Sequence, residues 1–355
     1  MTKTSPPGQS PNAVTNNKKS LHKQLHGART AKKDEFYTQL ADIEKELKHY
    51  KRHFKNKVVL CNCDDPRVSN FFHYFSYNFK HLGLKKLITT CYKNQDADLF
   101  SRNDSEKAIY LEYKGGKNGK NVPSPEEIGI KQLQGDGDFR SKECIQLLKQ
   151  ADVVVTNPPF SLFREYVAQL VDYGKHFVII GNTNSLTYKD IFQLIKDDKM
   201  RTGYTNFNVG MFFVVPDDWT HFHHIDKDGK KIARVSTSCW FTNFDIAKHR
   251  EYLPLYKTYT AADYPKYDNY DAIEVSKVAE IPEDYEGVMG VPITFLDKYN
   301  PEQFEVLDCW NAGTAAERIG ATKTEAISNG RRIVWNGPTV NKQTKYFRIL
   351  VRKRT

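Results

Sequence analysis

Hydrophobic positions follow two alternating periods along the chain. In DEFYTQLADIEKELKHYKRHF, which begins at Asp34, apolar residues fall at Phe36, Leu40, Ile43, Leu47 and Tyr50. That spacing of about 3.6 residues predicts an amphipathic helix. Asp34 is placed as its N-terminal cap or dipole partner. KVVLCNC (57–63) is a short apolar run rich in β-formers, Val68 to Phe79 reads as a helix, and LKKLITTCY (84–92) as a second strand. Residues 93–128 are polar and rich in Gly and Lys, which predicts a long surface hairpin or loop. IKQLQGDGDF (130–139) reads as strand and turn, and SKECIQLLKQ as a helix. ADVVVTNPPF (151–160) holds three successive valines and is the clearest buried strand. SLFREYVAQLVDYG follows as a helix stopped by Gly174, and KHFVIIGN (175–182) is one more buried strand.

Strands alternating with helices predict an α/β fold with a doubly wound, mostly parallel sheet. In such sheets ligands bind at the carboxyl ends of the strands. After about residue 200 the rhythm changes. VGMFFVVP and VSTSCWFTNFDI read as longer, antiparallel-type strands, and YFRILV (346–351) as a closing strand. Six tyrosines lie between Tyr256 and Tyr285, a cluster that fits either a core or a nucleic-acid face. The expected division is a disordered basic arm (1–33), a catalytic core (34–200), remaining core strands with a recognition region (201–310), and a variable segment with closing strand and basic tail (311–355).

Composition adds three points. No stretch approaches the ~18 consecutive apolar residues of a membrane span. Met1 to Lys33 is polar and basic without an apolar segment, so no secretory signal is expected. Six scattered cysteines (Cys61, Cys63, Cys91, Cys144, Cys239, Cys309) fit reduced thiols in a cytosolic protein. The net charge of +10 points toward a polyanion. Its distribution is uneven. Seven Lys/Arg precede Asp34 with no acid among them, and residues 342–355 hold Lys342, Lys345, Arg348, Arg352, Lys353 and Arg354, again with no acid. The stretch between is slightly acidic.

Asn157-Pro158-Pro159-Phe160 is the sharpest chemical signal. It closes a buried strand and precedes a helix, so it forms a stiff loop at the sheet's carboxyl edge. The prolines fix φ near about −65° and remove two N–H donors. What remains is a row of acceptors, the Asn157 side-chain oxygen and the Pro158 carbonyl. Such acceptors suit an exocyclic amine, whose lone pair they draw out of conjugation. Phe160 offers a face for a flat ring. Placement and electrostatics then supply most of the rate without a strong base. The bland reading is a strand-ending turn; the flanking strand and helix favour the catalytic one.

The tetrad resembles the catalytic motif of amino-methyltransferases that use S-adenosylmethionine. More closely, the chain resembles the EcoRI-type adenine-specific DNA methyltransferases. The matching stretches are DEFYTQ (34–39), VVLCNCDDPRVSNFFHYF (58–75), GDGDFRS (135–141), VVVTNPPFSLFREY (153–166), YPKYDNYDAI (264–273) and GVMGVPITFLDKYNPEQFE (287–305). The resemblance implies a class I, Rossmann-like fold with an appended DNA-recognition region. It implies S-adenosylmethionine as cofactor and methylation of the second adenine of GAATTC at N6, with the base flipped from duplex DNA. Asn157, Pro158, Pro159 and Phe160 are its catalytic residues. Tyr37 and Thr38 fall near the methionine end of the cofactor, and Asp136 or Asp138 near its adenine, beside Phe139. Cys61, Asp64 and Asn157 complete the implied cofactor contacts. A departure lies in the first loop, where Asp64, Asp65, Pro66 and Arg67 replace the usual glycines. The resemblance further implies a monomer in a bacterial or phage-infected cytoplasm, with a cognate restriction endonuclease acting separately.

Rivals are weaker. Cys61-x-Cys63 lacks a second ligand pair, and His221, His223 and His224 lie at no familiar ligand spacing, so no metal is expected. No cysteine adjoins the Pro-Pro turn for a covalent mechanism. Serine-hydrolase and phosphate-loop signatures are absent. Enzymes with this tetrad also act on rRNA or on protein glutamine, and a non-catalytic DNA-binding protein on the same fold is the rival from another class. The basic arm generates a prediction: deleting residues 1–33 weakens DNA affinity and flattens its salt dependence while cofactor binding stays intact. Titration at several salt concentrations checks it, and an unchanged slope returns the arm to a solubilising role.

Overall fold

The computed structural model describes residues 37–62, 64–92, 108–116, 123–217 and 219–354. The basic arm, Asp34, Phe36 and Cys63 lie outside them. In chain order the elements begin with β1 (Tyr37–Thr38), α1 (Leu40–Leu47), β2 (Val58–Asn62), α2 (Asn70–Tyr77), β3 (Lys86–Cys91), β4 (Ile109–Tyr113) and β5 (Lys131–Gln132). Then come α3 (Lys142–Gln150), β6 (Val153–Thr156), α4 (Phe163–Asp172), β7 (His176–Asn182), α5 (Lys189–Lys196), β8 (Arg201–Thr202), β9 (Met211–Val214), β10 (His224–Ile225), β11 (Lys231–Val235) and β12 (Ser238–Thr242). The rest are β13 (Ile273–Glu274), β14 (Met289–Pro292), β15 (Phe304–Trp310), α6 (Thr314–Ile319), β16 (Thr324–Ser328), β17 (Arg331–Trp335), β18 (Thr339–Val340), β19 (Gln343–Thr344) and β20 (Arg348–Lys353). Among the described residues, no helix is long and apolar enough to cross a membrane.

The fold is mixed α/β, and the chain forms two compact units. The first runs up to Lys175 and adds Ile179–Gly181 and Gly210–Ser238. Its main sheet has the order β5-β4-β3-β2-β6-β7. β2 pairs parallel with β3 and with β6, while β4 and β5 join the β3 edge antiparallel. Val153, Val154 and Val155 are fully buried, as a central strand covered on both faces requires. The Asp152 carboxylate accepts the Val58 amide at 2.8 Å and so pins the start of β6 to the start of β2. Ile43 and Leu47 of α1, Phe71, Phe72 and Phe75 of α2, and Phe163, Tyr166, Val167 and Leu170 of α4 are buried too. A second sheet of the same unit, in the order β1-β9-β11-β10, is antiparallel throughout.

The second unit comprises His176–Val178, Asn182–Val209 and Cys239–Thr355. One of its sheets has the order β13-β14-β20-β15 and another β17-β16-β19-β18. Trp310 is fully buried and meets the Tyr267 ring edge-on at 4.8 Å. Arg348 forks onto the buried Glu274 carboxylate at 2.5 and 3.0 Å, satisfying both charges where water is excluded.

Several sequence expectations need correction. Tyr37 and Thr38 form strand, not helix, because they pair with Val214 and Phe213; the helix starts at Leu40. The helix expected over Val68–Phe79 is Asn70–Tyr77, broken at Asn78, whose side chain caps back onto the Tyr74 carbonyl. Within 93–128, Ile109–Tyr113 is no surface loop: Ile109 and Leu111 are buried and pair with β3. The strand expected over 130–139 shrinks to Lys131–Gln132. β9 and β12 are ordinary strands of 4 and 5 residues, no longer than those of the core. The tyrosine cluster divides: Tyr264 and Tyr267 are buried, Tyr256 exposed.

Candidate active site

β6 carries Asn157-Pro158-Pro159-Phe160 at its carboxyl end. Asn157 and Pro158 are buried, and Pro159 and Phe160 are partly exposed. Pro159 sits at φ −53° and ψ 126° and leads into a single 3-10 turn, Phe160–Leu162. The Leu162 amide donates to the Pro159 carbonyl at 3.0 Å. Phe163 is buried against Gly181, where any Cβ would collide with the phenyl ring.

The loop is fixed from below by Asn62, the last residue of β2. The Thr156 hydroxyl donates to the Asn62 carbonyl. The Tyr166 hydroxyl, from α4, donates to the Asn62 side-chain oxygen at 2.5 Å. All three side chains are buried. Tyr166 also meets the Phe139 ring edge-on at 5.0 Å, and Gln169 donates to the Phe139 carbonyl at 3.1 Å. One face of α4 therefore joins the ends of β2 and β6 to the GDGDF loop.

That loop comes close to the end of β3. Gly137 has φ +81°, and a Cβ there would stand 2.6 Å from the Cys91 carbonyl oxygen and 2.9 Å from the Ala108 methyl. The two acids of the loop differ. Asp138 is committed to the Arg140 guanidinium at 2.8 and 2.6 Å, and Arg140 reaches on to Glu165 at 2.8 Å. Asp136 accepts the Asp138 amide on Oδ1 at 3.0 Å. It has no ion pair among the described residues.

The first loop is built without glycine. The buried Asp65 carboxylate takes the Arg67 amide at 2.9 Å and the Arg67 guanidinium at 2.5 Å, which folds Pro66 and Arg67 tightly. Ser69 caps α2 by accepting the Phe72 amide, and its hydroxyl donates to Asp64 at 3.2 Å. Asn70 donates to the Thr38 carbonyl at 2.7 Å, bringing β1 beside this loop. Thr38 is buried, and its hydroxyl oxygen has no partner among the described residues. Cys61 lies inside β2, and burial, with Asp64 nearby, pushes its thiol well up, so it stays neutral.

The structure thus draws Thr38, Asp64 and the start of α2 together by hydrogen bonds, and ties Asn157 through Thr156 to Asn62 and Phe139. It leaves Asp138 engaged elsewhere. Asn62, Thr156 and Tyr166 escaped the sequence reading. The signal was present: a carboxamide ends an apolar strand, and a tyrosine stands three residues past Phe163 on the buried face of its helix. His223 and His224 are exposed on the hairpin formed by β10 and β11, their rings 3.0 Å apart at Nδ1. Among the described residues no group of three metal-ligating side chains converges.

A rigid acceptor loop ending a buried parallel strand, beside the GDGDF loop, is the arrangement that the resemblance to amino-methyltransferases implies. The family described as adenine-specific methyltransferase EcoRI matches residues 24–354. The chain belongs to that family, and the match runs through the variable segment as well. It is 46% identical over 340 residues to the type II methyltransferase M.EcoRI of Escherichia coli, covering 94% of this chain and 98% of that one. It is 38% identical to M.MgeORF184P of Mycoplasma genitalium and to M.MpnI of Mycoplasma pneumoniae, both type II methyltransferases, across 92% of this chain and 97% of each. No solved structure matches. The protein is an adenine-specific DNA methyltransferase of the restriction-modification kind.

Electrostatics of the first loop generate a prediction. Burial lifts the Asp64 carboxyl from near 3.8 to about 7; the Ser69 hydroxyl opposes the rise and Asp65 adds to it. Between those values the folded chain keeps a proton that the unfolded chain has lost. This group therefore makes stability fall as pH rises through that window. Asp64→Asn is expected to flatten the decline in Tm between about pH 5 and 7 in thermal melts without ligand. An unaltered pH profile contradicts the assignment.

Proposed function

We propose that this chain transfers a methyl group from S-adenosylmethionine to the N6 amine of an adenine flipped out of duplex DNA, at the second adenine of GAATTC. The observation that carries the reading is the NPPF loop, buried at Asn157 and locked through Thr156 and Tyr166 to Asn62. Amine chemistry inside a base stack is out of reach, so the adenine leaves the duplex. Asn157 and the Pro158 carbonyl hold its amine, and Phe160, partly exposed, stacks on the ring. Because the loop is already fixed, little reorganisation remains at the moment of attack.

The residues present fit S-adenosylmethionine, which supplies an electrophilic methyl group on a sulfonium centre. The buried Thr38 hydroxyl offers an unsatisfied polar atom, and Asp64, costly to ionise alone, gains from a cationic ammonium beside it. Tyr37 accompanies Thr38 on β1. Cys61 lies beneath this loop as a neutral thiol, and Phe139 lines the neighbouring one. Of the two acids expected near the adenine ring, Asp136 is favoured, since Asp138 is occupied by Arg140. The parallel run β3-β2-β6, with these loops at its carboxyl ends, supports a doubly wound class I methyltransferase sheet. The GAATTC site rests on the family resemblance, supported by 46% identity to M.EcoRI. A modification enzyme of this kind shields its site from a separately acting endonuclease.

Asn157→Ala is expected to lower methyl transfer about 10³-fold or more, while duplex binding largely survives. Protection of a plasmid from a GAATTC-cutting nuclease reads the outcome. Full protection by the variant overturns the catalytic assignment; full cutting with active wild type overturns the site.

A further inference from the structure

Residues 322–346 form a small sheet of two tight hairpins. Ser328 pairs with Arg331, leaving a two-residue turn at Asn329-Gly330, with φ +50° and +77°. Val340 pairs with Gln343, leaving a second such turn at Asn341-Lys342, with φ +50° and +60°. Lysine is a poor residue for the left-handed region. Here the Asp268 carboxylate holds the turn, accepting the Asn341 and Lys342 amides at 3.0 and 2.7 Å. The turn keeps Lys342 exposed at its tip despite that strain.

β17 is an edge strand of this sheet. The registers place Ile327 opposite Arg332 on one side and Gln343 on the other. Arg332, Ile327 and Gln343 thus form one row across three strands, on a single face. The next pair on that face is Val334 and Glu325. Arg332, Gln343 and Glu325 are exposed, and Val334 is 71% exposed. The opposite face holds the buried Ala326. Around the row stand Lys323, Arg331 and Lys342, all exposed, and Tyr346 at 90% exposure. None of Arg331, Arg332, Lys323 and Lys342 has an ion-pair partner among the described residues. Charge on an edge strand discourages strand addition, which accounts for an arginine there but not for an exposed Val334 two residues on.

We infer that this three-strand face is a base-reading surface for duplex DNA. The inference rests on the DNA reading above and names a surface for it. The β16–β17 hairpin is a two-stranded ribbon of the kind that fits the major groove, with Gln343 on the strand beside it. Cations in excess of carboxylates complement phosphate. The row itself offers what base edges ask for: Arg332 the donors for guanine, Gln343 the paired groups for adenine, Ile327 and Val334 an apolar partner for the thymine methyl. Arg331 and Lys342, at the turns, take phosphates.

The test uses the full chain, wild type beside Arg331→Ala, Arg332→Ala, Gln343→Ala and Val334→Glu. Binding is titrated against salt on a GAATTC duplex and on duplexes with one pair changed, with S-adenosylmethionine binding and circular dichroism as controls of folding. Arg332→Ala is expected to shrink discrimination at the G·C pair about tenfold or more, and Gln343→Ala to do so at an A·T pair. Arg331→Ala weakens all duplexes alike and lowers the salt slope by about one. Val334→Glu weakens binding by setting an anion on the face. Unchanged affinity, slope and discrimination in these variants overturn the surface. A wild type that methylates no duplex fails the DNA reading itself; one that does, beside variants that match it, fails the ribbon alone.

Discussion

Asn62 is where the active site is tied together. It ends the central parallel strand, and from there its carbonyl takes the Thr156 hydroxyl and its side-chain oxygen takes the Tyr166 hydroxyl. The groups are buried, so neither bond has water as a substitute, and losing one leaves a dry polar group. Through these two bonds and the Phe139 ring on Tyr166, segments about 75 to 105 residues apart in the chain meet on one helix face. The NPPF loop inherits its position from that knot. Its prolines make it stiff; Asn62 and Tyr166 decide where the stiff piece points. An enzyme that works as proposed, by holding an amine, depends on such prior order.

Charge is distributed by the same logic. The groups around the catalytic loops are largely paired: Asp65 with Arg67, Asp138 with Arg140. Asp64 is the exception, its carboxyl lifted to about 7 chiefly by burial. The excess of positive charge belongs to the arm and to residues 342–355, and the small sheet adds Lys323, Arg331 and Arg332, which have no ion-pair partner among the described residues. On the proposed reading those parts meet the polyanion, while the candidate methyl-transfer loops keep most of their charges paired.

Much of the core was legible in the sequence, because Val153-Val154-Val155 and Phe177-Val178-Ile179-Ile180 can only be buried strands. NPPF was legible because two prolines restrict a loop wherever it falls. What was hidden depended on long-range pairing. Tyr37-Thr38 fits a helical period but is claimed by β9. Ile109–Tyr113 alternates well, yet its polar, Gly/Lys-rich surroundings concealed it. Asp136 and Asp138 are equivalent on paper and were separated by Arg140, two residues on. In the strands of 322–346, Ile333 and Trp335 share the face of the buried Ala326, but Ile327 and Val334 lie on the exposed face, so no clean two-residue period stood out.

On the proposed reading Tyr166, through Asn62, positions the NPPF loop without touching substrate. Single-turnover methyl transfer by Tyr166→Phe measures it most directly, since the ring and its packing remain and only the hydroxyl is lost. The rate is expected to fall about tenfold, the equivalent of one buried hydrogen bond. Affinities for S-adenosylmethionine and duplex DNA should stay at wild-type values. A wild-type rate in that variant, with the hydroxyl gone, would contradict the account.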